Sequence, residues 1–135
     1  MRIAVSAIGK SLDSQLDQRF GRCAYFLIVD SRTMESEILV NAAAGARGGA
    51  GIQAAQSIVG KGVKVVITGN IGPNAFQTLS AAGIVVMIGA SGTVGETIKR
   101  FTRGELHETK GPSVQGHQGM DQGKRRGQNS GEQKW

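Results

Sequence analysis

Val63-Lys64-Val65-Val66-Ile67-Thr68-Gly69-Asn70-Ile71-Gly72-Pro73 is the run on which the architecture turns. Val63 to Thr68 is β-branched and apolar, the pattern of a strand buried on both faces of a parallel sheet. Glycine-rich residues then reverse the chain. Pro73 suits the first turn of a helix, because a helix start leaves its N–H groups unpaired and proline has none to lose. A strand, a turn and a helix start are thus read within eleven residues.

Working outward, Ala50 to Val59 places Ile52, Ala55, Ile58 and Val59 at helical spacing. Gly60 and Gly62 end that helix. Downstream, Phe76, Leu79 and Ala82 share one face of a second helix, which Gly83 closes. Ile84 to Ile88 reads as a strand. Thr93 and Glu96 have capping-box spacing for a third helix, with Val94, Ile98 and Phe101 along its apolar stripe. Upstream, Ile3 to Ile8 and Ala24 to Asp30 read as strands. Ser31-Arg32-Thr33 is a turn, and Glu35 to Asn41 pairs back as an antiparallel hairpin. The order βββαβαβα predicts an α/β domain with a mixed sheet flanked by helices.

Composition changes near Leu106. Residues 107–135 are rich in Gly, Gln and charge and nearly lack apolar side chains. Such a stretch buries too little surface to offset its ordering entropy, so residues 1–106 are expected to form the domain and 107–135 a disordered tail. His107 and His117 fall in that tail. The net charge of +6 favours anionic partners, but the basic residues are not gathered into one block, which argues against nucleic acid. A lone cysteine fits a reducing compartment. The amino-terminal residues do not read as a signal peptide. No apolar run approaches the ~20 residues of a membrane helix. A cytoplasmic location with no membrane association is the expectation.

Three glycine-rich turns each precede a helix: Ala44 to Gly51, Thr68 to Asn74, and Gly89 to Thr93. Helix starts present unpaired N–H groups and a partial positive charge, so they attract anions. Turns after parallel strands gather on one sheet edge. Gly48, Gly49, Gly51, Gly69, Asn70, Gly92 and Thr93 are therefore candidate anion-binding positions, with Arg19, Arg22 and Arg47 as the cations. Cys23 sits close behind Arg19 and Arg22. Nearby cations favour the thiolate, the form that binds metal; a small buried hydrophobe at a strand start is the other reading.

No turn has the Gly-Lys-Ser/Thr ending of a P-loop, and none is a dinucleotide fingerprint in the required position. Residues 1–106 contain no histidine, and their carboxylates are not clustered on rigid elements. Neither a catalytic triad nor a two-metal centre is legible, so a non-enzymatic role is expected.

The segments MRIAVSA (1–7), LDSQLDQRFGRCAYFLIVD (12–30), GGAGIQAAQ (48–56), GVKVVITGNIGPNAFQTLSAAGIVV (62–86) and GTVGETIKRFTRGEL (92–106) resemble the dinitrogenase iron–molybdenum cofactor biosynthesis family. That family includes nitrogenase accessory carriers, orange proteins and small stand-alone members. The resemblance implies a ribonuclease-H-like α/β motif: a five-stranded mixed sheet in order 3-2-1-4-5, strand 2 antiparallel, flanked by three helices. It implies a carrier of an anionic metal–sulfur cluster of iron–molybdenum, iron–sulfur or molybdenum–copper sulfide type. The implied partners are metallocofactor assembly proteins or an apo-metalloenzyme. The residues also leave open a nucleotide- or nucleic-acid-binding module without catalysis, using the same turns and the run Lys124-Arg125-Arg126.

Overall fold

The computed structural model describes residues 1–113. The expected tail from residue 114 on, with His117 and Lys124-Arg125-Arg126, lies outside the described residues. The elements are β1 (Arg2–Ala7), β2 (Tyr25–Asp30), β3 (Ser36–Val40), α1 (Ala50–Val59), β4 (Val65–Ile67), α2 (Pro73–Ala81), β5 (Val85–Met87) and α3 (Val94–Thr102). Their order is the expected one, and the ends shift by no more than a residue or two.

The five strands form one sheet in the order β3-β2-β1-β4-β5. β2 runs antiparallel to both β1 and β3, while β1, β4 and β5 are parallel. The hairpin turn between β2 and β3 is fastened by Asp30, whose Oδ1 accepts from the Arg32 N–H at 2.8 Å.

Side chains alternate across a strand, so each strand feeds two cores. Ala4, Phe26, Ile28, Val66 and Val86 face α1 and α2, meeting Ala54, Ala55, Ile58, Ala75 and Leu79. Ile3, Val5, Ala7, Leu27, Val29, Val65 and Ile67 face the other way and meet Val94 and Ile98 of α3. Burying a side chain such as Ile58 or Leu79 contributes about 1.5–3 kcal/mol. Two helices therefore lie on one face of the sheet and one on the other.

Order extends past residue 106. Leu106 packs against the α3-side core. Glu108 then pairs with Met87, and the Thr109 N–H donates to the Val86 carbonyl at 2.8 Å. The first residues of the expected tail, 107–113, are thus held by main-chain bonds along the outer edge of β5. A composition argument misses this, because the edge of a sheet offers hydrogen bonds to any chain, apolar or not.

Candidate functional site

The polar connection between β1 and β2 is fixed before it contributes anything to a site. The Asp17 N–H donates to the Ser6 carbonyl at 2.9 Å. The Ser6 hydroxyl donates to the Asp17 carbonyl at 2.7 Å, and lies 2.7 Å from the Thr68 hydroxyl. The Asn70 N–H donates to the Gln18 carbonyl and the Phe20 N–H to the Asn70 carbonyl, at 2.8 and 3.2 Å. This splices residues 17–20 onto the turn after β4. Gly69 must be glycine for that reason: a Cβ there would lie 2.7 Å from Gln18 Cα. Gly21 is constrained less severely, since a Cβ would lie 3.0 Å from the Gly51 nitrogen.

These close approaches bring the starts of α1 and α2 side by side. Between them and the β1–β2 connection lies an open cleft of about 420 Å³, lined by Arg19, Gly21, Arg22, Gly49, Gly51, Asn70, Gly72, Asn74 and their neighbours. Neither helix has a side-chain cap. The N-cap of α1 is Gly49, in the left-handed region at φ 72°, and that of α2 is Gly72; neither first turn carries a carboxylate. The amides of Ala50, Gly51, Ile52, Asn74 and Ala75 make no hydrogen bond among the described residues. Five N–H donors and two partial positive charges thus face one cleft.

The arginines stand at its rim. Asp17, almost wholly buried, accepts from Arg19 Nε and Nη2 at 3.2 Å each and from the Arg19 amide at 2.9 Å. The side-chain hydrogen bond, followed by the charge of Asp17, holds the Arg19 guanidinium above its ordinary pKa. Arg22 Nη1 donates to the carbonyls of Ala44 and Ala46, which ties down the β3–α1 loop. Beyond the arginines lies a second hollow of about 530 Å³, walled by Ile8, Leu16, Ala24 and Ala44.

Not every sequence-predicted residue meets here. Arg19, Arg22, Gly49, Gly51 and Asn70 line the cleft. Arg47 and Gly48 are exposed on the β3–α1 loop and are not part of its wall. Gly69 serves the splice, beneath Gln18. Gly92 and Thr93 share the sheet edge but serve α3, on the opposite face. That helix start is closed. The Val94 N–H donates to the Ser14 carbonyl and the Gly95 N–H to the Leu12 carbonyl, at 2.9 and 2.8 Å. Thr93 and Glu96 cap each other in a complete capping box. The amides of Thr93, Val94, Gly95 and Glu96 are thus all engaged, and this helix start does not join the cradle.

Cys23 is also displaced from its expected role. It is 0% exposed, within the core that Phe20 and Phe26 share. Its thiol donates to the Phe20 carbonyl at 3.4 Å. Burial, then the charge of Asp17, pushes its pKa up to about 12. The flanking arginines point outward while the sulfur points inward, so they do not favour a thiolate. No group of three His, Cys, Asp or Glu among the described residues is arranged to hold a metal ion.

Sequence reasoning missed Asp17, Gly21 and the amides of Asn74 and Ala75. A signal for the amides was present: a helix start reading Gly72-Pro73 has no capping side chain. The Thr93/Glu96 box was the opposite signal, a helix end already satisfied.

The fold and the cleft define a class of small α/β domain whose open site is lined by backbone amides and guanidinium groups, with no set of side-chain metal ligands among the described residues. The chain belongs to the dinitrogenase iron-molybdenum cofactor family, whose model matches residues 1–104. It is 45% identical to the apo form of the orange protein from Desulfovibrio gigas, with a TM-score of 0.81, covering 83% of this chain and 95% of that one. A Thermotoga protein put forward as a NifB protein is 43% identical, with a TM-score of 0.70, covering 79% of this chain and 91% of that one. An uncharacterized protein of Methanocaldococcus jannaschii is 32% identical over 112 residues, 80% of this chain and 95% of its own length.

Proposed function

We infer that this chain is a non-enzymatic carrier for an anionic metal–sulfur cluster, accessory to metallocofactor assembly. The observation that carries the reading is the pair of helix starts without side-chain caps, with five amides that have no partner among the described residues, opening on one cleft beside Arg19 and Arg22. Membership of the family and similarity to an orange protein support it.

The donor set suits such a cargo. Sulfide-rich clusters carry negative charge on large, polarisable atoms that accept hydrogen bonds from backbone N–H groups. The cluster would be held by amides and guanidinium groups without a protein sulfur, because Cys23 is sealed below the cleft. Binding without covalent ligands suits a carrier that must give its cargo up to an assembly protein or an apo-metalloenzyme. The same amides would accept a phosphate, but among the described residues the cleft offers no exposed aromatic ring for a base to stack on: Phe20, the one aromatic wall residue among them, is 2% exposed. That favours the cluster over a nucleotide.

The test is anaerobic titration with tetrathiomolybdate, with and without copper(I), monitored by visible absorption. A saturable complex is expected, retained in Cys23→Ser and weakened at least tenfold in Arg22→Ala. Failure of the full chain to bind, or equal affinity in Arg22→Ala, would remove the proposed site.

A further inference from the structure

The two edges of the sheet are finished differently. The outer edge of β5 carries residues 107–113, with Glu108 bridged to Met87 and the Thr109 N–H on the Val86 carbonyl. The outer edge of β3 carries no strand among the described residues. Hydrogen bonding alternates along an antiparallel pair. The Asn41 N–H donates to the Ala24 carbonyl and the Asp30 N–H to the Glu35 carbonyl, so residues 35, 37, 39 and 41 turn their main-chain groups towards β2. Ser36, Ile38 and Val40 therefore turn their N–H and C=O groups outward, as a row of donors and acceptors along the open edge.

Edge strands are ordinarily kept from pairing with a second chain by a proline, a bulge or an unmatched charge. β3 reads Ser36-Glu37-Ile38-Leu39-Val40 and has no proline. Its register with β2 is unbroken. Its one charge, Glu37, is matched by Arg2 and Lys61 at 3.2 and 2.9 Å, and by alternation lies on the face where Leu39 packs towards α1 and α2. The other face is apolar. Ile38 lies opposite Leu27 and Val40 opposite Tyr25. α3 leaves them uncovered: Ile38 is 44% exposed and Val40 63%.

The outward residues are symmetric about Ile38, and the edge is therefore complementary to itself. We propose that β3 pairs antiparallel with β3 of a second copy of this chain, Ile38 opposite Ile38 and Ser36 opposite Val40, joining two five-stranded sheets into one. Every outward N–H and C=O of Ser36, Ile38 and Val40 then has a partner. The Ile38 and Val40 side chains of both copies form one apolar stripe across the two-fold axis. Glu37 falls opposite Leu39, so no like charges meet directly. Such an interface uses the same patch on both copies and closes at two. Val40 lies opposite Tyr25, and Tyr25 opposite Ala7 at the cleft end of β1. The two clefts thus lie at opposite ends of the joined sheet and both stay open, so pairing along β3 does not depend on what the cleft holds. A single strand edge falls short of the roughly 1,200 Å² at which stable interfaces begin, so the dimer exchanges with monomer.

The experiment is sedimentation velocity on the full chain. From about 0.01 to 1 mM, where a weak interface titrates, the sedimentation coefficient is expected to rise reversibly towards that of a dimer. Ile38→Lys sets like charges opposite each other and is expected to stay monomeric throughout. Ile38→Pro removes an outward N–H that β2 does not use, and is expected to do the same. Circular dichroism and thermal midpoints check that both fold; where one does not, cysteine cross-linking decides. Under mild oxidation Ile38→Cys is expected to form disulfide-linked dimers, because directly opposite Cα atoms lie about 5.5 Å apart. Val40→Cys is expected to link at least tenfold more slowly, since its equivalent lies four residues along the strand, about 13 Å away. Cys23 is buried and does not compete. A chain monomeric at every concentration would overturn the proposal and leave the edge to an extended segment of another protein. Dimers that persist in folded Ile38→Lys and Ile38→Pro would overturn it by placing the interface elsewhere. Linking through Val40→Cys as fast as through Ile38→Cys would overturn the register, and with it the self-complementary edge.

Discussion

Arg22 and Cys23 are neighbours in the chain and opposites in environment. Arg22 is exposed and bonded to loop carbonyls, whereas Cys23 has no exposed surface. A thiol whose pKa rises from 9.0 to about 12 is essentially all protonated at pH 8. Iodoacetamide should therefore label native Cys23 at least a hundredfold more slowly than the unfolded chain; comparable rates would show the sulfur to be accessible. The folded-state pKa lies above the unfolded one, so the linked stability is fully present below pH 9 and is lost as pH rises through about 12. Thermal midpoints should fall between about pH 9 and 11 more steeply in the parent than in Cys23→Ala. Asp17 shows a second residue-scale effect. It sits inside the protein, yet it sets where the exposed guanidinium of Arg19 points.

The three helices differ at the element scale in how their starts are satisfied. α3 consumes every first-turn donor through its capping box and the 12–14 loop. α1 and α2 consume none among the described residues. Leaving donors unpaired costs helix stability, typically about 1 kcal/mol for a missing cap. Thr93→Ala should accordingly lower unfolding free energy by about 1 kcal/mol in urea titration while leaving tetrathiomolybdate affinity unchanged. Gly72→Asp should do the reverse. Gly72 has φ −85°, open to any L residue, and an aspartate there caps α2 and fills the site with negative charge. Stability should rise by a few tenths of a kcal/mol, and anion affinity should fall at least tenfold. If Gly72→Asp bound the anion as the parent does, the uncapped start of α2 would have no part in the site.

Across the described residues, the two ends of the sheet satisfy their charges differently. At the end of the sheet away from the cleft, Arg2 and Lys61 both pair with Glu37, at 3.2 and 2.9 Å. The Glu37 carboxylate is held below its ordinary pKa, first by the Lys61 hydrogen bond and then by that of Arg2. Those positive charges are matched; at the cleft edge Arg22 is bonded only to carbonyls and the helix starts are unmatched among the described residues. Exposed pairs contribute little to stability, whereas attraction of an anion to a solvent-facing cleft is screened by salt. Raising salt from about 0.05 to 0.5 M should weaken anion affinity at least fivefold and leave the thermal midpoint nearly unchanged. Parallel changes in both would show that the cleft charges belong to folding.

Periodicity carried the elements, because burial on a helix or strand repeats at a spacing a linear chain displays: Val63 to Thr68, Ala50 to Val59 and the Thr93/Glu96 cap are all legible in the residues themselves. Strand order and the shared sheet edge came from family resemblance and the connection rules. The chain alone did not contain which face each helix covers. α3 crosses to the opposite face from α1 and α2, and that separates Gly92 and Thr93 from the other turns. The depth of Cys23, the splice of residues 17–20 onto the β4 turn and the course of 107–113 along β5 are likewise long-range. The first depends on packing in the core around Phe20 and Phe26, and the other two on main-chain hydrogen bonds between segments far apart in sequence, which leave no side-chain pattern to read.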